Sequence, residues 1–231
     1  MTKTALIVAH GQPSDPASAE TDLGRLAAQV RQALPGWRVG SATLAQPGAL
    51  EATVADLGAP LVFPFFMADG WFTKAELPRR LAAAGMAKPT ILPAFGLMDE
   101  AAVLAVRAAR AAVRGRGWKA EETTVVLAAH GSGQGRAPAE AAERIGAAVR
   151  ACAAFAEVRL GFLEEEPSLE KMARDAGERA ICLPLFVARW GHVVSDVPAA
   201  LAAAGFRGPC LAPLGARPEV PGIIAGALKA V

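Results

Sequence analysis

The sequence predicts an α/β fold made of two similar domains, each a parallel sheet with helices on both faces. Two observations carry this prediction. Short apolar runs alternate with stretches of helical periodicity, which is typical of strand–helix–strand units. In addition, the apolar run that ends in Ala9-His10-Gly11 returns 120 residues later as the run that ends in Ala129-His130-Gly131.

The offset of 120 residues continues along the chain. Leu-Ala-Ala-Ala-Gly stands at 81–85 and again at 201–205. The recurring prolines are Pro47 and Pro167, Pro64 and Pro184, Pro78 and Pro198, Pro89 and Pro209, and Pro93 and Pro213. Because proline and glycine constrain the backbone, these matches are informative even in an alanine-rich chain. We predict two copies of one unit, residues 1–115 and 116–231, with a linker at 114–117.

Copy one is expected to contain four strand–helix pairs. Leu23, Leu26 and Val30 keep helical spacing, and Pro35 with Gly36 ends that helix. The apolar run before Met67 predicts a buried strand, and 67–73 a loop at its carboxyl end. The predicted strands are 5–9, 38–44, 59–66 and 90–92, and the predicted helices are 19–34, 49–57, 77–84 and 100–113.

Copy two repeats this order. A glycine-rich loop at 131–136 follows its first strand, and a second loop at 188–195 follows its third. Asp196 is expected to cap the next helix, just before Pro198. The predicted strands are 123–129, 158–163, 180–186 and 210–212, and the predicted helices are 139–152, 168–176, 196–204 and 221–231.

Composition limits the classes of function. Hydrophobic residues make up 53% of the 231 residues and charged residues 20%, which predicts a packed core. A net charge of +2 is too balanced to indicate a nucleic-acid partner. We expect no membrane partner, since no apolar run approaches the ~20 residues of a spanning helix. Cys152, Cys182 and Cys210 form no CxxC motif and lie in apolar segments, so we expect buried free thiols and a cytoplasmic location.

The histidines are the main candidates for chemistry. His10, His130 and His192 all follow predicted strands, at the sheet edge where open α/β folds bind ligands. Neutral imidazole binds first-row metals and accepts protons, although a single histidine is more often a surface or core residue. Phe72 occupies the copy-one position of His192, which favours a working site in the second half. Trp71 and Phe72 offer either an aromatic wall for a flat ligand, or core or interface packing.

Two other interpretations concern phosphate and acidic residues. The loop Gly131-Ser132-Gly133-Gln134-Gly135 follows a strand, but its glycine spacing differs from that of a dinucleotide loop and no P-loop lysine follows. Alanine precedes each His-Gly, where a histidine phosphatase would have arginine. The run 164–166 of three glutamates predicts a solvated loop, with one carboxylate able to face the site.

Three motifs together resemble the class II tetrapyrrole chelatases, the family of sirohydrochlorin cobalto- and ferrochelatases. They are His130-Gly131-Ser132, the segment Phe-Leu-Glu…Pro-Ser-Leu at 162–169, and Leu-Pro-Leu-Phe…Gly-His…Asp-Val-Pro at 183–198. The resemblance implies two tandem flavodoxin-like domains with a tetrapyrrole cleft between them, and metal insertion without an organic cofactor. It also implies that His130 and His192 bind the metal and take the pyrrole protons.

We therefore predict a lyase that inserts a divalent metal into sirohydrochlorin, in cobalamin or siroheme synthesis. The metal is a substrate, and imidazole ligands suit Co²⁺, Fe²⁺ and Ni²⁺ alike. Basic residues of the edge loops, namely Arg136, Arg189, Lys74 and Arg79, are candidates to pair with substrate carboxylates. The predicted substrate-binding residues are His10, Ser132, Arg136, Trp71 and Phe72. The alternative is a non-catalytic metal or tetrapyrrole carrier. A monomer is expected because the two halves are fused.

Overall fold

The computed structural model describes residues 2–152 and 154–231, and the chain divides into two compact units. Unit 1 comprises the chain up to Phe95 together with Pro218–Val231. Unit 2 is continuous and comprises Gly96–Arg217.

Unit 1 is built on a parallel three-stranded sheet of order β2-β1-β3. Its strands are β1 (Thr4–Ala9), β2 (Arg38–Thr43) and β3 (Leu61–Pro64). Its helices are α1 (Pro16–Gln32), α2 (Ala49–Leu57), α3 (Leu77–Ala83) and α9 (Val220–Lys229), with a π-helix at Phe72–Glu76. The expected loop at 67–73 is therefore wrong in its last residues, where the chain has already entered helix.

The central strand β1 is buried along its length from Ala5 to Ala9, because helices cover both faces of the sheet. Leu6 and Val8 pack with α2 and α3, while α1 and α9 contact each other and the sheet. Asp15 begins α1 by accepting a hydrogen bond from the Ser18 backbone N–H. The predicted α/β architecture is confirmed in this unit.

Unit 2 repeats the arrangement with a parallel sheet of order β5-β4-β6. Its strands are β4 (Thr124–Ala129), β5 (Glu157–Phe162) and β6 (Ala180–Pro184). Its helices are α4 (Asp99–Arg114), α5 (Ala137–Cys152), α6 (Leu169–Ala173), α7 (Gly191–Val194) and α8 (Asp196–Ala203). Val126 and Ala128 of the buried central strand pack with α6 and α8.

The predicted fourth strands at 90–92 and 210–212 are wrong. Each segment makes a single parallel bridge, Ile91 to Val62 and Cys210 to Cys182. Prolines flank both bridging residues. Pro89 and Pro93 stand two residues before and after Ile91, and Pro209 and Pro213 stand one residue before and three residues after Cys210. Proline has no backbone N–H to donate, so a longer ladder cannot form there.

The last helix of each sequence copy packs in the compact unit that is built mainly from the other copy. α4, which ends copy one, contacts α5 and β6 of unit 2. α9, which ends copy two, contacts α1 and β3 of unit 1. The repeat boundary at 115/116 remains a prediction about sequence, whereas packing divides the chain at Gly96 and Pro218. Internal similarity cannot tell which sheet a terminal helix will cover.

In both sheets the central strand runs directly into a His-Gly pair. Gly11 and Gly131 follow the histidines with φ of +80° and +75°. This left-handed conformation suits glycine, and it turns the chain sharply at the sheet edge. Across the described residues, no helix combines the length and apolar character needed to cross a membrane.

Candidate metal-insertion site

His130 is held at the carboxyl end of β4 with one ring nitrogen already occupied. Its Nδ1 lies 3.0 Å from the carbonyl oxygen of Gly131. A carbonyl can only accept, so Nδ1 carries the hydrogen and Nε2 presents a lone pair. The strand end and the turn at Gly131 thus fix both the position and the tautomer of this imidazole.

His192 lies on the short helix α7 and is oriented by a carboxylate one helical turn later. Its Nδ1 lies 2.5 Å from Oδ2 of Asp196. The carboxylate accepts the Nδ1 hydrogen, which leaves the Nε2 of His192 as a second lone pair. Asp196 was predicted as a helix cap. That expectation is wrong, because Asp196 is the first residue of α8 and its carboxylate is bonded to the imidazole instead.

The two histidines face each other through these free nitrogens. The Nε2 atoms of His130 and His192 are 3.1 Å apart, and the ring planes are 89° apart. Two lone pairs repel at this distance unless a proton or a cation lies between them. At metal–nitrogen bonds of about 2.0–2.1 Å, nitrogens 3.1 Å apart subtend about 95–102° at a shared ion. That angle lies between octahedral and tetrahedral values, so the pair is already spaced as two ligands of one metal.

The three glutamates at 164–166 have separate roles. Glu164 Oε1 lies 3.6 Å from Nε2 of His130, which adds a half-exposed carboxylate to the histidine pair. Glu165 Oε1 accepts the Ser132 backbone N–H at 3.0 Å. Glu166 accepts the backbone N–H of Ser168 at 3.2 Å. The site therefore has negative charge from Glu164 beside one imidazole and from Asp196 beside the other.

Ser132 and Arg136 stand in the loop after His130, as the sequence places them. The Ser132 hydroxyl accepts the Gln134 backbone N–H at 3.1 Å and so closes the loop. Arg136 forms ion pairs of 3.7 and 3.5 Å with Glu140 and Glu143 of α5. Two other basic candidates are paired with acidic neighbours, Lys74 with Asp69 and Arg79 with Glu76.

Unit 1 keeps one histidine in the same local geometry. The Nδ1 of His10 lies 3.1 Å from the carbonyl oxygen of Gly11. Its ring packs edge-on against Phe72 at 4.3 Å, where unit 2 has His192. Trp71 stacks edge-on with Phe72 at 5.0 Å. Trp71 is 63% exposed and Phe72 37%, so these aromatic residues are not core packing.

The two units differ because different residues stand at matching positions, 120 residues apart. Leu44 and Ala45 stand at the positions of Glu164 and Glu165. Unit 1 therefore has neither the second imidazole nor the neighbouring carboxylate of unit 2. Among the residues that the structure describes, no three His, Cys, Asp or Glu side chains surround one point as a closed metal site.

Two residues of the site were missed or left open by sequence reasoning. Asp196 was assigned to a cap, although its spacing of four residues from His192 is the one that brings side chains together on a helix. Glu164 could not be separated from Glu165 and Glu166, because three identical neighbours give no signal. Only the backbone turn after β5 decides which carboxylate reaches His130.

The cysteines differ from the expectation of three buried thiols. All three are free, but Cys152 and Cys210 are exposed and only Cys182 is buried. Apolar neighbours in sequence did not predict burial, since Cys152 is the last residue of α5 and Cys210 lies in a proline-flanked bridge segment.

Comparisons with known proteins identify the family of the chain. The solved structure of CbiX, described as the terminal enzyme for the biosynthesis of siroheme in denitrifying bacteria, matches with a TM-score of 0.92 at 47% identity, over 99% of both chains. The CbiX family model matches residues 124–230. The chain belongs to the class II chelatase family.

More distant relatives of this class II chelatase share its fold. SirB from Bacillus subtilis with Fe³⁺ matches with a TM-score of 0.79 at 15% identity, over 99% of this chain and 95% of that one. The sirohydrochlorin chelatase SirB from Bacillus subtilis subspecies spizizenii, in complex with cobalt, matches with a TM-score of 0.70 at 14% identity, over 99% and 94%. No curated protein matches the chain.

Proposed function

We propose that this chelatase inserts Co²⁺ or Fe²⁺ into sirohydrochlorin, with His130 and His192 as the metal-binding and proton-accepting pair. The observation that carries the proposal is the 3.1 Å approach of two Nε2 atoms whose Nδ1 hydrogens are both engaged elsewhere. The 47% identical CbiX, named for siroheme biosynthesis, and the cobalt complex of a sirohydrochlorin chelatase support the choice of substrates.

In this mechanism the protein binds the metal weakly, through two imidazole ligands. Two imidazole ligands leave several coordination positions of the ion open, so pyrrole nitrogens can enter before the protein ligands leave. The second metal ligand, His192, is orientated by Asp196, which accepts the Nδ1 hydrogen and so fixes the direction of the Nε2 lone pair. Ni²⁺ also suits these ligands, and the ligand types do not choose among the three metals.

Proton removal is the second task of the same residues. Metal insertion releases two pyrrole protons, and a neutral base must stand beside the macrocycle to take them. Each imidazole that hands over its metal regains an Nε2 lone pair and can accept one proton. Glu164, 3.6 Å from Nε2 of His130, is positioned to stabilise the resulting imidazolium.

The remaining predicted residues are assigned to substrate binding. Trp71 and Phe72 offer exposed aromatic faces suited to a flat macrocycle. Ser132 keeps the loop after His130 in shape, and His10 supports the ring of Phe72. Arg136 is held by α5 carboxylates and would have to exchange them for a carboxylate of the substrate.

Turnover separates this proposal from a non-catalytic carrier of metal or tetrapyrrole. The protein is mixed with excess sirohydrochlorin and Co²⁺, Fe²⁺ or Ni²⁺ in turn, and the absorption spectrum of the macrocycle is followed. Many equivalents of metallated product per protein are expected for at least one metal. Conversion that stops at one equivalent would assign a carrier. The monomeric state and the cytoplasmic location remain predictions.

A further inference from the structure

A pair of cysteines in unit 2 lies outside the metal-insertion site. Cys182 belongs to β6, and Cys210 is its bridge partner on the neighbouring parallel segment. The Cys182 N–H donates to the Pro209 carbonyl at 2.9 Å, and the Leu211 N–H donates to the Cys182 carbonyl at 2.8 Å. Residues paired in this way point their side chains to the same face of a sheet.

The two sulfur atoms have opposite environments. Cys182 is completely buried among the apolar residues under α6 and α8, whereas Cys210 is exposed. The hydrogen bond from Cys182 lowers the pKa of the Cys210 thiol, burial opposes this, and the positive charge of Arg189 adds to it. The same contact, together with burial, raises the pKa of the Cys182 thiol. Cys210 is thus exposed and its thiol has a lowered pKa, whereas Cys182 is buried and its thiol has a raised pKa.

We propose that Cys182 and Cys210 form a reversible thiol–disulfide site that is oxidised by hydroperoxides. An exposed thiol of lowered pKa beside a second thiol is the arrangement in which oxidation ends in a disulfide rather than in higher oxides. The pair uses neither His130 nor His192, so the inference does not depend on the proposed metal insertion.

One equivalent of hydrogen peroxide oxidises the two thiols to one disulfide. The Cys210 thiolate attacks one oxygen of hydrogen peroxide, the O–O bond breaks, and hydroxide leaves and takes a proton to become water. Cys210 is then a sulfenic acid. The Cys182 sulfur attacks the sulfenic sulfur, the S–O bond breaks, and hydroxide leaves with the thiol proton as a second water. A small dithiol reverses the reaction by thiol–disulfide exchange.

The backbone already permits the bond. Neighbouring strands lie about 4.7–4.9 Å apart, which falls within the range of about 4.4–6.8 Å between Cα atoms of disulfide-bonded cysteines. The segment that carries Cys210 is joined to β6 by a single bridge and is flanked by Pro209 and Pro213. It can therefore shift slightly without breaking a longer ladder.

Exposed Cys152 provides a matched control, because it is free and lies in a different element, at the end of α5. The full-length Cys152→Ser variant is titrated with hydrogen peroxide, and free thiols and intact mass are measured. We expect both remaining thiols to disappear together, with a mass loss of two hydrogen atoms, and dithiothreitol to restore them. A mass gain of one or more oxygen atoms with one thiol left would overturn the proposal.

Single variants of the pair identify the attacking thiol. Cys210→Ser should slow peroxide consumption about ten-fold or more, since the buried thiol reacts poorly. Cys182→Ala should stop at oxygen adducts of Cys210. Equal rates for Cys210→Ser and Cys152→Ser would remove Cys210 from the attacking role. The Cys152→Ser result does not require any change to Cys182 or Cys210, so it stands even if Cys182→Ala fails to fold.

Discussion

Hydrogen bonds made by the far side of each imidazole decide what the near side can do. His130 donates through Nδ1 to a backbone carbonyl, and His192 donates through Nδ1 to a carboxylate. Both rings therefore offer Nε2 to the same space. A pair of histidines without these partners would be free to rotate or to adopt the other tautomer. Fixing the rings would then reduce the free energy of cation binding.

Removal of either imidazole tests the pair directly. His192→Ala and His130→Ala should each abolish most metal insertion while thermal unfolding stays nearly unchanged, because both side chains are partly exposed. His10→Ala is the matched control, since it faces Phe72 rather than a second ligand, and it should cost less activity than His130→Ala. Initial rates of metallation report the result. A reversed order would move the working site to the first half.

Asp196 acts through His192 and can be tested by its effect on metal affinity. Asp196→Asn removes the charge that holds Nδ1, and metal affinity should fall about 10–100-fold. Glu76 occupies the copy-one position and bonds Arg79, so Glu76→Gln should leave metal affinity unchanged. Calorimetric titration with Co²⁺ measures both. An unaltered affinity in Asp196→Asn would show that the carboxylate does not position the ring.

At the scale of elements, the turn after β4 links the histidine to the acidic run. Gly131 has a φ of +75°, and a Cβ placed there would lie 2.7 Å from Oε1 of Glu165. Glu165 in turn accepts the Ser132 N–H. The absence of a side chain at Gly131 is what allows the 164–166 segment to pack against this turn.

Gly131→Ala should destabilise the protein by about 1–3 kcal/mol, from both the left-handed backbone and the contact with Glu165. Gly133→Ala is the control in the same loop, because a Cβ there meets nothing within 4 Å. Urea denaturation of the two variants gives the difference. If both variants unfold at the same urea concentration, the turn is not strained by a side chain.

Sequence patterns were sufficient for the ends of the two central strands, β1 and β4, but not for the contacts beyond them. Apolar runs that stop at a histidine predicted where His10 and His130 lie, since burial of a central strand requires such a run. Three features depend on backbone turns a few residues long. They are the short helix that carries His192, the approach of Glu164 rather than Glu165 or Glu166 to His130, and the hydrogen bond between Asp196 and His192. Such turns leave no periodic signal. The fourth strands failed because flanking prolines outweighed the apolar pattern.

At the scale of the whole molecule, packing assigns α4 to unit 2 rather than to the copy that encodes it. Eight residues of α4 are buried, namely Ala101, Ala102, Leu104, Ala105, Val106, Ala108, Ala109 and Val113. A fragment cut at the repeat boundary loses this surface. It also carries α9 without the α1 and β3 that α9 contacts.

A fragment of residues 96–217 should therefore unfold cooperatively, whereas one of residues 116–231 should show a lower midpoint or no cooperative transition. The fragment of residues 116–231 lacks α4, so the apolar surface of α5 and β6 that α4 covers is exposed to water and the fragment is less stable. Circular dichroism during thermal denaturation compares the two. Equal midpoints would mean that the sequence copies, and not the compact units, are the stable bodies.

The placement of α9 also sets an order of events during synthesis on the ribosome. The strands of unit 1 emerge first, but α9 is translated only after all of unit 2. Until then the sheet of unit 1 lacks the apolar face of α9, whose buried residues are Val220, Ile224, Ala225 and Leu228. Unit 2 is continuous, so all of its residues have been translated while unit 1 still lacks residues 218–231. The half that is made first is thus finished last. Nascent chains arrested after residue 217 should then be cut by protease in unit 1 sooner than in unit 2.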